Sequence, residues 1–241
     1  MSTEVSVFSL SSPRRRYTEA ILDFLFPRAC INCGQRGALL CQNCFRHLAP
    51  VGPACPKCGR PQANDSLCAA CWGRESPIDG IHSPYRFQGI ARTAIHEFKY
   101  HGLRSMAEPL AHLLANYLVK NPVPGDTFLP VPLHSRRLKE RGYNQSALLA
   151  SHLSRLTGIP IEENTLIRLK NTPPQVRSSS VDTRHSNVAG AFACRNEHLR
   201  GRSVIIIDDV CTSGATLEAC AVAIKAAGAS TVHGLTLARE V

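Results

Sequence analysis

Val204-Ile205-Ile206-Ile207-Asp208-Asp209-Val210-Cys211-Thr212-Ser213-Gly214-Ala215-Thr216 is the stretch on which the reading of this chain turns. Its first four residues are all β-branched and apolar, the character of a strand buried on both faces of a parallel sheet. Two adjacent carboxylates follow at the strand's carboxyl end. Small residues then lead into an Ala-rich helical stretch, Thr216 to Ala227, with Gly228 as its natural stop. In sheets of this kind ligands sit beyond the carboxyl ends of the strands, where the free N–H groups of a starting helix face an anion. The amides near residues 212 to 216, helped by the hydroxyls of Thr212, Ser213 and Thr216, therefore suit one phosphate, and Gly214 permits close approach. Asp208 and Asp209 are poor phosphate ligands but good acceptors from vicinal hydroxyls, so the natural occupant is a ribose 5-phosphate. No GxxxxGK[ST] or GxGxxG accompanies the stretch, which argues against a P-loop site and a dinucleotide fold. The plain alternative is a structural strand and helix start with no ligand at all.

Working outward, strand candidates at Thr127 to Pro132, Leu166 to Leu169 and Thr231 to Leu237 alternate with helix candidates. The helices are expected near Ile90 to Phe98, from about Met106 to Val119, and from Gln145 to Leu156 with Asn144 as its cap. The alternation predicts an α/β fold with a mostly parallel sheet and helices on its faces. Residues 170 to 190 have no sustained period and are rich in Ser, Thr, Pro and Asn, so a long loop is expected there. Arg136, Arg137, Lys139 and Arg141 surround one strand-to-helix junction, broken only by Glu140. Such a cluster suits a diphosphate, although charged residues on a solvated helix face are common without any ligand.

Upstream of residue 80 the composition changes. Cys30, Cys33, Cys41, Cys44, Cys55, Cys58, Cys68 and Cys71 form four C-x-x-C units in a segment too poor in large apolar residues for a conventional core. Two thiolates on one tight turn face one ion, and two such turns close a tetrahedral site, so two structural Zn²⁺ ions are expected. The nearest-neighbour assignment places Cys30, Cys33, Cys41 and Cys44 on one ion and Cys55, Cys58, Cys68 and Cys71 on the other. Interleaved pairing satisfies the same spacing. The expected organisation is a tail and short helix at 1–27, a cysteine-rich zinc-binding region at 28–77 and an α/β domain at 80–241.

The formal net charge is +10 over 241 residues, and most of the excess lies after residue 80, where 19 basic face 12 acidic residues. That balance suits an anionic partner, a phosphorylated small molecule or a nucleic acid, without choosing between them. No run of 18 apolar residues occurs, and the opening arginines follow the short apolar stretch instead of preceding it. A cytoplasmic protein without membrane insertion is expected.

With these residues in view, the sequence resembles the type I phosphoribosyltransferases, and more closely the ComF family of competence-associated proteins, which join cysteine knuckles to such a domain. The ComF resemblance rests on Phe98-Lys99-Tyr100, on PVPLHSRRLKERGYNQS from Pro130 to Ser146, on LKNTPPQ with Arg177, Arg184 and Asn187, and on Gly190-Ala191-Phe192. It implies that Asp208 and Asp209 meet the ribose hydroxyls of phosphoribosyl pyrophosphate (PRPP). Cys211, Thr212, Ser213, Gly214, Ala215 and Thr216 would then cradle its 5-phosphate, with Cys211 standing where many relatives carry Thr. It also implies a pyrophosphate loop at Leu133 to Arg137 and a flexible loop at 170–184. Arg136, with Asp208 and Asp209, is the expected catalytic set. Lys99, Arg137 and Arg141 are the expected further ligands of PRPP, and Mg²⁺ accompanies the diphosphate. The implied function is PRPP binding linked to DNA uptake or natural transformation, with phosphoribosyl transfer and pyrophosphate release if catalysis operates. The alternative is a non-catalytic competence factor that handles single-stranded DNA or docks DNA-uptake proteins and uses the pocket for ligand sensing.

Overall fold

The computed structural model describes residues 28–170, 190–195 and 198–241. The expected tail and short helix before residue 28 lie outside these residues. So do Arg177, Arg184 and Asn187, with nearly all of the long loop expected between 170 and 190. The chain divides into two units, one up to Phe45 and one from Arg46 onward.

In the first unit an Ala29–Arg36 bridge closes the turn that carries Cys30 and Cys33, and Cys41 immediately precedes α1 (Gln42–Arg46). The second unit opens with a turn of the same design, closed by an Ala54–Pro61 bridge around Cys55 and Cys58. The segment around it adds its backbone to the α/β body, where Val51 N donates to Pro84 O at 3.0 Å and Arg86 N to Ala49 O at 2.9 Å.

The α/β body follows in the order β1 (Gly80–His82), β2 (Tyr85–Arg86), α2 (Gly89–Tyr100), α3 (Ala107–Lys120), β3 (Thr127–Pro130), α4 (Ser135–Arg141), α5 (Gln145–Thr157), β4 (Leu166–Arg168), β5 (Phe192–Cys194), β6 (Ser203–Cys211), α6 (Ala215–Ala226) and β7 (Thr231–Arg239). The main sheet runs β1-β7-β6-β3 with β2 also on β7, and every pairing in it is parallel. A separate antiparallel pair, β4 and β5, packs against α6. Val204 and Ile206 point to the face covered by Leu217 and Ile224 of α6. Strand alternation sends Ile205 and Ile207 to the opposite face, where α5 packs on β3 and β6 and α3 packs on α5.

Local chemistry accounts for the helix ends. Asn144 caps α5 by accepting from Ser146 N at 3.0 Å, and Gly158 ends that helix in the left-handed region at φ +76°. Pro109 falls in the first turn of α3, where its missing N–H costs no helical hydrogen bond. The strand expected from Val204 to Ile207 runs from Ser203 to Cys211, so Asp208 and Asp209 lie within the last residues of β6 and not just after it. The segment 133–137 is a loop only at its start, because His134 accepts from Arg136 N at 3.3 Å and begins α4. Among the described residues no helix is long and apolar enough to cross a membrane.

Candidate functional site

The carboxyl end of β6 meets three elements. Its register beside β3 pairs Pro130 with Ile207, and Val131 N donates to Ile207 O at 3.0 Å, which sets the basic segment 131–141 next to the acidic pair. The side chain of Asn144 donates to Val131 O at 3.0 Å and so holds the start of α5 at the same strand ends. From there the Ser146 hydroxyl donates to Asp208 Oδ1 at 2.9 Å, and Asp209 N donates to the same oxygen at 2.9 Å. Burial, then the neighbouring Asp209 charge, push the Asp208 carboxyl up to about 6, against the opposing pull of Lys99 and these two donors. Asp209 is buried at 6% exposure, and Lys99 Nζ from the last turn of α2 lies 2.6 Å from its Oδ1. Burial works to lower the Lys99 pKa, but the Asp209 carboxylate outweighs it and the ammonium is held charged.

Beyond Cys211 the chain makes the loop 212–214 and enters α6. Gly214 stands at φ +89°, a conformation L side chains rarely adopt, and an added Cβ would lie 3.2 Å from Ile81 Cδ1. Ser213 Oγ accepts from Ala215 N at 3.4 Å, and Glu218 N takes the first helical acceptor, Gly214 O. The amides of Ser213, Gly214, Thr216 and Leu217 have no acceptor among the described residues. These are the orphan donors of a helix start, reinforced by the positive end of the helix dipole. Thr212 is exposed, Ser213 and Thr216 are half-buried, and Ala215 is buried.

The basic residues are not equivalent. Arg136 is 74% exposed and pairs with Glu140 at 3.0 Å along α4. Arg141 donates to Gln145 Oε1 at 2.6 Å and lies 5.3 Å from the Tyr100 ring centroid. Arg137 is half-buried and close enough to Arg168 for their charges to interact. Burial, then the Arg137 charge, lower the Arg168 pKa, and the Asp208 charge opposes them. The site thus brings together Asp208, Asp209, Lys99 and the 212–216 loop, with Arg137 on one flank. Ser146 and Arg168 join it although spacing does not single them out. Ser146 lies in the GYNQS run, where the Asn cap is a usable sign that the next residues face the strand ends.

The eight cysteines form two clusters with the nearest-neighbour assignment, the ligand sulfurs in each lying within 4.8 Å of one another. Cys33 and Cys41 sulfurs are 3.6 Å apart, and Cys58 and Cys68 sulfurs 3.7 Å. Tetrahedral Zn–S bonds of about 2.3 Å require sulfur separations of roughly 3.8 Å, so both sets fit Zn²⁺. Backbone donors on the sulfurs match the needs of thiolates: Cys41 N reaches Cys30 Sγ at 3.5 Å, and Cys68 N reaches Cys55 Sγ at 3.4 Å. Burial would raise the Cys30 and Cys55 pKa values, but amide donors led by Cys41 N and Cys58 N respectively bring both down to about 6. Such a donor set is that of a closed, structural metal site.

Comparison with known proteins finds two domain families in the chain. Residues 21–72 match the double zinc ribbon domain and residues 144–240 the phosphoribosyl transferase domain. The chain is 31% identical over 206 residues to "DNA utilization protein YhgH" of Salmonella typhimurium, covering 83% of this chain and 90% of that one. It is 30% identical over 211 residues to "Competence protein ComFC" of Bacillus subtilis, covering 83% and 84%. It is also 30% identical over 227 residues to "Competence protein F" of Haemophilus influenzae, covering 87% and 96%.

Proposed function

Since the chain belongs to the ComF/YhgH family of competence proteins, with an N-terminal double zinc ribbon and a C-terminal phosphoribosyltransferase-like domain, we propose that its β6 site binds PRPP or another ribose 5-phosphate. This binding would serve DNA uptake or DNA utilization, the roles carried in the relatives' names. The observation that carries the reading is the meeting of Asp208 and Asp209 with the unpaired amides of Ser213, Gly214, Thr216 and Leu217 at one strand end. Carboxylates accept from the 2- and 3-hydroxyls while the helix start holds the 5-phosphate, so the two halves of one ligand are recognised by opposite chemistries.

If transfer occurs, the C1–O bond to pyrophosphate breaks with its electron pair leaving on the diphosphate oxygen. A nitrogen lone pair forms the new C1–N bond from the opposite face, and the proton on that nitrogen is lost. Mg²⁺, held chiefly by ligand oxygens and water, would neutralise the diphosphate. The chain's own part is to position the sugar and stabilise charge. Lys99 stands against Asp209, and Arg137 and Arg168 supply positive charge on the flank nearest the β3 end. Arg136 contributes to the diphosphate by exchanging Glu140 for a ligand oxygen.

Calorimetry of the full, metal-replete chain with PRPP and Mg²⁺ tests the reading, with ribose 5-phosphate and pyrophosphate as controls. Both sugar phosphates are expected to bind, and failure of both rejects the site. Pyrophosphate release on a screen of bases and amines then separates an enzyme from a sensor.

A second reading, contact with single-stranded DNA or a DNA-uptake protein, is favoured by Trp72, which is 77% exposed one residue after Cys71. An exposed aromatic on a basic chain is a stacking surface for unpaired bases.

A further inference from the structure

Arg239 is the last residue of β7 and only 3% exposed, yet the hydrogen-bond acceptor it has among the described residues is a thiol, Cys211 Sγ, at 3.0 Å from its Nη1. Burial, chiefly, pushes the Cys211 pKa up to about 11, so the thiol is neutral and does not balance the guanidinium. A buried guanidinium needs a counter-charge. The space beside it is a pocket of about 90 Å³ whose wall includes Cys58 and Cys71 of the second cysteine centre, together with Lys57, Arg60 and Ser213 of the phosphate loop. The same wall carries one carboxylate, Glu218, which Arg74 meets at 3.5 Å, and four thiolates on one Zn²⁺ carry a formal charge of about −2, so the loaded centre is the larger anion facing this set of cations.

Two further links join the same elements. Arg74, three residues after Cys71, meets Glu218 in the first turn of α6 at 3.5 Å. The Cys55–Cys58 turn presses on β1 so closely that a Cβ on Gly59 would lie 2.5 Å from Ile81 O, while Ile81 Cδ1 is the atom that a Cβ on Gly214 would meet at 3.2 Å. The second centre therefore reaches the phosphate loop through an arginine–thiol bond, through an ion pair, and through Ile81.

We propose that the second cysteine centre is a working part of the phosphate site: Arg239 takes its counter-charge from the metal-loaded sulfurs, holds Cys211, and so ties the order of residues 211–217 to metal occupancy. Arg239 is a positioning residue in this account, and the effect on ligand affinity rests on the ribose-phosphate reading given above, whereas the effect on metal retention does not.

The test uses the full chain with Cys30, Cys33, Cys41 and Cys44 all replaced by Ser, so that the first centre has no thiolate and the zinc read is that of the second. Zinc transfer to a chromophoric chelator is expected to run at least tenfold faster in Arg239→Met and to return close to the parent rate in Arg239→Lys. An unchanged rate in Arg239→Met overturns the proposal. Should that variant fail to fold, amide exchange of residues 211–217 in the parent decides: it is expected to rise when zinc is stripped, and unaltered exchange refutes the coupling. Ribose 5-phosphate affinity, measured before and after stripping, is expected to fall at least tenfold. If ribose 5-phosphate does not bind even the loaded chain, the ligand reading fails while zinc transfer and exchange still decide the role of Arg239.

Discussion

Lowering the pH from 7 to 5 is expected to weaken ribose 5-phosphate binding through one identifiable carboxyl group. In the free protein Asp208 is held near 6, above its ordinary value of 3.8, by burial and the adjacent Asp209. In the proposed site its ionised form would accept from a ribose hydroxyl, so a proton would compete with the ligand. The sign follows: affinity is full above about 7 and declines as pH falls through 6. With a midpoint near 6 the ionised fraction drops about tenfold between pH 7 and 5, close to 1.4 kcal/mol. The ligand's phosphate also protonates near 6, and if the loop prefers the dianion it adds a comparable decline. Wild type is therefore expected to lose about a hundredfold over those two units, and Asp208→Asn about tenfold, since only the phosphate still titrates. Calorimetry at half-unit intervals measures both slopes. The ¹³C resonance of the Asp208 carboxyl supplies a direct check, with a midpoint near 6 in the free chain that moves down when ligand is bound. Equal slopes in the two proteins, or a midpoint near 4 in the free chain, would defeat the reasoning.

Lys99→Met removes a charge that holds the Asp208 pKa down, so the same ¹³C titration should move to higher pH; a midpoint that stays put would deny the contact its electrostatic role. Gly214→Ala forces a side chain into φ +89° and against Ile81, and urea unfolding is expected to show a loss of about 1–2 kcal/mol together with weaker ribose 5-phosphate binding. Cys58→Ser should lower the melting temperature of the unit from Arg46 onward, because the second centre lies within that unit, whereas Cys41→Ser should leave the near-ultraviolet spectrum of its buried aromatic residues unaltered. Trp72→Ala should cost about 1–3 kcal/mol in binding a single-stranded oligonucleotide, read from a salt-controlled titration; full retention of affinity would remove the stacking role.

The features legible in the amino-acid sequence are those governed by local pattern. Val204 to Ile207 can hardly be other than a buried strand, and the amphipathic runs 90–98 and 145–156 announce helices that the structure extends by one or two residues at an end. The cysteine pairing follows spacing because each C-x-x-C turn places two sulfurs on one side. β1, β2 and β5 escape sequence reasoning for a physical reason: they are two or three residues long, too short to show a period, and β1 and β2 exist only because β7 lies beside them across about 150 residues of chain. Helix α4 is hidden by charge, since SRRLKER buries no residue and offers no apolar stripe. Arg239 is invisible for the converse reason. A single arginine at the end of an apolar strand has the pattern of a solvated residue, and only the arrival of Cys211 and the second cysteine centre around it makes it interior.

Two adjacent carboxylates are a poor start for the proposed ribose-phosphate site, and the residues around them bear on that objection one by one. Asp209 is neutralised by Lys99 at 2.6 Å, and Asp208 near pH 6 is already partly protonated while accepting from Ser146 and the Asp209 amide. The acidic pair thus presents far less than two negative charges to an approaching phosphate. The positive charges of Arg137 and Arg168, the latter near enough to feel Asp208, then add to the positive end of α6 in the field that an anion would meet. In the proposed site a ribose hydroxyl would take the place of a proton as hydrogen-bond donor to Asp208, so the one carboxylate that Lys99 does not neutralise would be used by a sugar and not by a phosphate alone. A phosphate without the sugar gains nothing from that exchange. Inorganic phosphate is therefore expected to bind more weakly than ribose 5-phosphate and to lose less affinity on Asp208→Asn, and an equal loss for both ligands would place the aspartate's role in the fold instead of in sugar recognition.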